Sequence, residues 1–83
     1  MSRPVDVLEV DAVQRAELER MIRATSSPQR MVLRARVVLA RSEGLSQEQT
    51  AQRMGIQRRI VGKWSKRFAQ KGLAGLLDAP GRG

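Results

Sequence analysis

The sequence predicts an all-α fold, a single domain of four helices, and three observations lead to it. Strand signals are nearly absent, because the 83 residues include one phenylalanine, one tryptophan and no tyrosine, and alternating apolar and polar residues occur only over 5–10. Residue pairs that cap helix starts recur along the chain. Apolar residues follow them at spacings of three and four, as on one face of a helix.

The first helix is predicted over about residues 12–25. Asp11 with Gln14 three positions later forms a capping-box pattern, and Leu18, Met21 and Ile22 follow at helical spacing. Residues 1–10 precede this helix as an N-terminal arm, in which VDVLEV is a short extended segment.

The second helix is predicted over about residues 28–43, with Ser27 as its cap, Pro28 in its first position and Gly44 at its end. Its apolar residues cover much of its circumference, so we expect it to be the central helix, packed from two sides. These residues are Met31, Val32, Leu33, Ala35, Val37, Val38, Leu39 and Ala40. The remaining side carries Arg30, Arg34 and Arg41, which either form a solvated stripe or contact phosphates, and the solvated stripe is favoured.

Two more helices are predicted over about 47–54 and 57–70. Ser46 with Gln49 repeats the capping-box pattern, and Gly55 and Gly72 mark the two helix ends. The three leucines at 73, 76 and 77 are expected to fold back onto the core. The domain then spans 11–77, and residues 78–83 begin a linker.

The two short helices also carry the residue pattern of a helix-turn-helix. A small residue allows close helix contact, a glycine forms the turn, and apolar residues fill the gap and the inner face. The set is Ala51, Met54, Gly55, Ile56, Val61, Trp64 and Phe68. An ordinary helical hairpin would also account for Ala51 and Gly55, but it would not account for the charge distribution.

Charge is the most informative property of the composition. The net charge is +8, and residues 53–83 hold eight bases against the single acid Asp78. One-sided basicity of this kind indicates a polyanionic partner, with nucleic acid first among the candidates. The alternative is that the net charge serves only solubility, but positive and negative residues would then be mixed more evenly along the chain.

Several function classes are disfavoured by what the sequence lacks. It has no cysteine and no histidine, so disulfides, thiolate or imidazole metal sites and histidine-based catalysis are excluded. No apolar run approaches the roughly 20 residues of a bilayer span, and the N-terminus has no signal-peptide core. We therefore expect a cytoplasmic chain that needs no cofactor and does not associate with a membrane.

The second helix of the motif is expected to lie in the DNA major groove, with its N-terminal end at the base edges. Arginine pairs well with guanine and glutamine with adenine. The expected base-contacting residues are Gln57, Arg58, Arg59, Gly62 and Lys63. Arg53, Lys66, Arg67 and Lys71 are expected to contact phosphates, which position the protein without specifying sequence. Gly62 is explained either by close approach of the backbone to DNA or by a chance loss of helicity.

Three segments of the chain form a further pattern: PQRMVLRARVVLA, EGLSQEQTAQRMGI and VGKWSKRFAQKGLAGLLDAPGRG. Through them, residues 8–81 resemble the N-terminal DNA-binding region of bacterial insertion-sequence transposases in the mariner-like superfamily. The resemblance implies a homeodomain-like three-helix core with an extra N-terminal helix, and binding to the terminal inverted repeats of a transposable element. It also implies a covalently attached catalytic domain in a longer parent protein.

The chain departs from that family at two positions and in its linker motif. Gln57 stands in place of a capping serine, and Ile60 in place of a small polar residue or threonine. Gly81-Arg82-Gly83 stands where the family has glycine-arginine-proline, and Arg82 joins the expected phosphate contacts.

Double-stranded DNA recognition is the leading hypothesis from the sequence. Catalysis is not expected, because one acid after the hairpin cannot form a metal-binding triad. One alternative is a free-standing transcriptional repressor. Another is an interaction module in which the first helix and the VDVLEV arm pair two copies as a homodimer.

Overall fold

The computed structural model describes residues 8–77, which form four α-helices and a short 3-10 turn and contain no strand. The helices are α1 (Ala12–Arg23), α2 (Gln29–Ser42), α3 (Gln47–Met54) and α4 (Arg58–Lys71). The 3-10 turn spans Gly72–Leu76. The predicted all-α fold of four helices is therefore confirmed. Residues 1–7 and 78–83, with Asp78, Arg82 and most of the arm, lie outside the described residues.

Helix starts follow local capping chemistry. Asp11 accepts a hydrogen bond from the Gln14 backbone while the Gln14 side chain accepts from the Asp11 backbone, and Ser46 and Gln49 repeat this arrangement at α3. In α1, the hydrogen bond that Arg20 donates to Glu17 lowers the pKa of the Glu17 carboxyl.

The predicted start of α2 is wrong by one residue. Pro28, with φ −61° and ψ 147°, is itself the N-cap, and no side chain caps this helix. The Pro28 carbonyl accepts hydrogen bonds from the backbone N–H groups of Met31 and Val32. Because Pro28 itself has an extended ψ, the helix begins at the next residue, Gln29. The first helix also ends earlier than predicted, at Arg23, where Ala24 adopts an extended conformation.

The core lies around α2, which contacts α1, α3, α4 and the 3-10 turn. Its Ala35, Val37 and Val38 are fully buried, as is Leu18 of α1. The helix α2 therefore has the central position predicted for it. A helix can bury so broad an apolar surface only when other segments cover it on several sides.

Two arginines expected on a solvated stripe are instead buried. Arg34 is 8% exposed and donates through Nη1 to the carbonyl of Leu76 at 2.8 Å. Arg41 is 4% exposed and donates to the carbonyl of Leu45 at 2.6 Å. Arg30 is exposed. At Arg34, the side of α2 that the periodicity assigned to solvent is thus covered by a segment distant in sequence, whereas Arg41 is bonded to the loop that follows its own helix.

The 3-10 turn closes the core. Leu76 is fully buried and Leu73 packs against the core, but Leu77 is 57% exposed, so the prediction that it folds back is wrong. Gly75 is buried against α4, and a Cβ at this position would overlap the Arg67 carbonyl. Only glycine therefore allows the turn to pack this closely on α4.

Candidate nucleic-acid interface

The turn between α3 and α4 has the geometry that its sequence predicts. Gly55 adopts the left-handed conformation, with φ 69° and ψ 35°, which costs glycine little. Ile56 donates its backbone N–H to the Ala51 carbonyl at 3.0 Å, which ends α3. Ala51 is buried, and Met54 and Ile56 pack against the core. The turn therefore sets the direction in which α4 leaves α3.

The inner face of α4 holds the helix against the core. Val61, Trp64 and Phe68 are 0%, 7% and 3% exposed, so Trp64 is a core residue as expected. Ser65 is buried with them, which the apolar pattern alone did not indicate. Burial of this face fixes which residues of α4 point outward.

The outward stripe of α4, defined here as Arg59, Lys63, Lys66 and Gln70, is exposed along its whole length. Successive members are four, three and four residues apart, so they lie on one side of the helix. Arg58, Arg67 and Lys71 are exposed on its flanks. Within residues 8–77, none of these cations forms an ion pair, and α4 contains no acidic residue. The result is an unneutralised basic surface on one helix.

The N-terminal end of α4 presents both side-chain and backbone donors. Gln57 is the N-cap, but its side chain does not cap the helix; its Oε1 instead accepts from Arg59 Nε at 3.1 Å. The first intrahelical bond runs from the Ile60 N–H to the Gln57 carbonyl. The amides before Ile60 have no partner within the helix, so this end carries a partial positive charge.

Three cations converge on the ring of Trp64. The Arg34 guanidinium lies 4.0 Å from the ring centroid, the Lys63 ammonium 4.9 Å and the Arg67 guanidinium 5.4 Å. Such cation–π contacts are worth about 0.5–1 kcal/mol each at exposed sites and more when desolvated. They hold Lys63 and Arg67 near the domain surface and bring two predicted DNA-contacting residues together.

Gly62 has a neighbour that the sequence did not reveal. A Cβ at this position would lie 3.1 Å from Oε1 of Gln47, the first residue of α3. Gly62 is half-buried on the flank of α4 that faces α3. The glycine thus makes room for a side chain of the protein itself. The only signal in the sequence was a glycine inside a helix, which costs about 1 kcal/mol relative to alanine.

Arg53 does not lie with the other predicted contacts. It lines a groove between α1, α2 and α3 with Ile22, Leu39 and Met54, and no residue of α4 contributes to that groove. Elsewhere in the described part of the chain, no three acidic residues cluster as a metal site would require, and no helix is long and apolar enough to cross a bilayer.

Comparison with known proteins adds one positive result. A family model described as a homeodomain-like domain matches residues 28–77, from the start of α2 through the 3-10 turn. The matched region includes α3, its turn and α4, and covers more than half of the 83 residues. No curated protein and no solved structure matches the chain.

Proposed function

This chain belongs to the family of homeodomain-like domains, a helix-turn-helix DNA-binding family, and we propose that it binds double-stranded DNA in a sequence-specific manner. The observation that carries the proposal is the outward stripe of α4, three exposed cations and a glutamine on the second helix of the motif, in which no cation forms an ion pair with a carboxylate of residues 8–77. A helix of about 10–12 Å diameter fits the major groove, which is about 12 Å wide.

The N-terminal turn of α4 supplies the base contacts in this proposal. Arg58 and Arg59 present guanidinium groups where a recognition helix meets base edges, and Gln57 extends that set through its carboxamide. The hydrogen bond between Gln57 and Arg59 orients the arginine before DNA is bound. Lys63 and Gly62 come one turn later and complete the proposed set.

The later part of α4 supplies contacts to the DNA backbone. Lys66, Arg67 and Lys71 extend toward its C-terminal end, and Arg67 is held beside Trp64. Contacts of this kind fix the register of the helix in the groove and release counterions from the duplex. Arg53 and Arg82 are proposed as additional phosphate contacts made outside α4.

The DNA target that we propose is the terminal inverted repeat of a transposable element. The support is the resemblance of residues 8–81 to the DNA-binding region of bacterial insertion-sequence transposases. In this proposal the chain is the targeting part of a longer transposase, and catalysis belongs to a separate domain of that parent.

Selection of bound duplexes from a random pool, followed by sequencing, tests the proposal. We expect one enriched motif without a dyad, which should also be found at both ends of a mobile element in the source genome. A palindromic motif upstream of the gene would favour a repressor instead. Sedimentation of the free chain at high concentration would reveal the homodimer of the interaction-module alternative. Recovery of no enriched motif would contradict sequence-specific binding.

A further inference from the structure

The groove between α1, α2 and α3 has an apolar lining that is separate from the basic surface of α4. Its apolar residues are Ile22, Leu39, Ala40 and Met54, all of them half-buried. The volume of the groove is about 450 Å³, within the range of about 300–1,000 Å³ that is typical of ligand sites. No residue of α4 lines it, so an occupant of this groove would leave the outward stripe accessible.

The groove depends on α1, which lies outside the region matched by the family model. Ile22 is the residue that α1 contributes to its lining, whereas the homeodomain-like match begins at residue 28. Packing of α1 on α2 thus adds a surface to the three-helix core. The groove is therefore a feature of this chain and not of the helix-turn-helix that it shares with its family.

Two arginines line the groove beside the apolar residues. Arg36 of α2 and Arg53 of α3 are both exposed. Within residues 8–77 neither guanidinium forms an ion pair or a hydrogen bond, and Glu43, which also lines the groove, pairs with neither of them. Guanidinium groups beside an apolar surface favour an occupant that carries both carboxylates and apolar side chains.

The elements around the groove indicate the conformation of this occupant. All three are helices, and residues 8–77 contain no strand, so no sheet edge is available to an extended segment. Such a segment would leave its backbone N–H and C=O groups unpaired against apolar side chains, whereas a helix pairs them internally. Ala40 is small enough for a helix to approach closely, and the flexible thioether of Met54 adapts to different apolar side chains.

We propose that the groove between α1, α2 and α3 binds an acidic amphipathic helix of a partner protein. Apolar side chains of that helix, spaced three and four residues apart, pack on Leu39, Ala40 and Met54. Carboxylates beside them pair with Arg36 and Arg53. This interaction goes beyond the proposed function and does not depend on it.

The chain itself supplies poorer occupants. Residues 1–7 and 78–83 each hold one base and one acid, so neither segment has a surplus of carboxylates. A second copy would bring together two chains of net charge +8, and Glu17 on its α1 is already bonded to Arg20. Charge complementarity therefore favours a different, acidic protein.

A synthetic peptide of about 14 residues, or about 21 Å as a helix, tests the proposal. Its leucines are three and four residues apart, and its other residues are glutamate and alanine. A control peptide has the same composition, with the leucines distributed around the helix. We expect the first peptide to shift the amide NMR signals of the groove residues. The control should bind about tenfold more weakly, because its leucines cannot all be buried on one face.

Two charge reversals separate the groove from the DNA surface. Arg36→Glu should weaken peptide binding about fivefold by replacing attraction with repulsion. It should change DNA binding by less than about twofold, because distant charges are screened at physiological salt. Lys66→Glu, an exposed cation of the outward stripe, is the matched control and should weaken only DNA binding. Arg53 is not used for this comparison because it is also proposed as a phosphate contact.

Ala40→Gln tests the apolar part of the groove. The longer side chain occupies the space that the helix would enter, so peptide binding should fall about tenfold. The helical circular dichroism signal of the chain should stay unchanged, because Ala40 is only half-buried and glutamine is a good helix former.

Several results would overturn the proposal. The first is no binding of the leucine-faced peptide, or equal binding of both peptides. The second is a set of NMR shifts confined to α4, or weaker peptide binding by Lys66→Glu than by Arg36→Glu, since the peptide would then bind the outward stripe. The third is a dimer of the free chain in sedimentation that Arg36→Glu dissociates, because a second copy would then occupy the groove.

Discussion

The buried guanidinium of Arg34 provides the strongest test of how this small domain is held together. It donates to the Leu76 carbonyl at 2.8 Å, lies 4.0 Å from the centroid of the Trp64 ring and reaches Sδ of Met31 at 3.4 Å. One side chain of α2 thus joins α4 to the 3-10 turn. Arg34→Met keeps most of the apolar stem and removes these polar contacts.

Two opposing effects determine the size of the loss. The Leu76 carbonyl, left buried without this donor, costs about 1–3 kcal/mol, and the lost cation–π contact adds about 1 kcal/mol. Relief from burying a charge offsets part of that sum, as replacements of buried ions by apolar residues show. We expect a net destabilisation of about 2 kcal/mol, which corresponds to a fall in Tm of about 8–16 °C.

Urea unfolding followed by circular dichroism and by the fluorescence of Trp64, the single tryptophan, measures this loss. A domain of this size has a free energy of unfolding of roughly 4–12 kcal/mol, so the variant should remain folded at 25 °C. Arg36→Met, an exposed arginine two residues along α2, is the control and should stay within about 0.5 kcal/mol of wild type. Equal unfolding midpoints for both variants would refute the reasoning.

Four further outcomes are expected from the same geometry. If the chain contacts about five phosphates, the slope of log affinity for DNA against log salt concentration should be about −4 to −5. A slope near zero would show that phosphate contacts do not contribute to the affinity. Arg59→Ala should cost about 1–3 kcal/mol of binding free energy and relax the preference at one base position. Lys71→Ala should weaken binding to all duplexes alike, and competition with random DNA distinguishes these two results. Gly75→Ala should destabilise the domain by about 1–3 kcal/mol because its Cβ would overlap the backbone of α4, and an unchanged Tm would show that the turn can move away. Trp64→Ala should cost about 3–5 kcal/mol, which is comparable to the lower end of the expected free energy of unfolding and should be visible as lost helical signal at 25 °C.

Features that depend on neighbouring residues were predictable from the sequence. Both capping boxes join residues three positions apart, and the left-handed Gly55 follows from the steric freedom of glycine. The inner face of α4 was predictable for the same reason, because Val61, Trp64 and Phe68 repeat at helical spacing.

Features that depend on distant segments were not predictable. Arg34 and Arg41 do share one side of α2, as the periodicity indicated, but a helical period does not reveal which side another segment covers. The partner of Arg34 is a carbonyl 42 positions away. The contact between Gly62 and Gln47 was unpredictable for the same reason. Gln47 lies beside Gly62 because the turn at Gly55 sets the angle between α3 and α4.

The charge on α4 links the stability of the fold to DNA binding. Arg59 with Lys63 and Lys63 with Arg67 are like charges four residues apart, and each such pair destabilises a helix by about 0.2–0.5 kcal/mol. The ring of Trp64 attracts Lys63 and Arg67 and offsets part of this repulsion. The phosphates of a bound duplex would offset the remaining repulsion between these charges, so DNA binding would stabilise the folded helix. A ligand at a hundred times its Kd stabilises a fold by about 2.7 kcal/mol, a large fraction of the stability of so small a domain. The cations proposed to bind DNA therefore destabilise α4 when the chain is free. The packing of the buried face of α4 on the core has to offset this repulsion until DNA is bound.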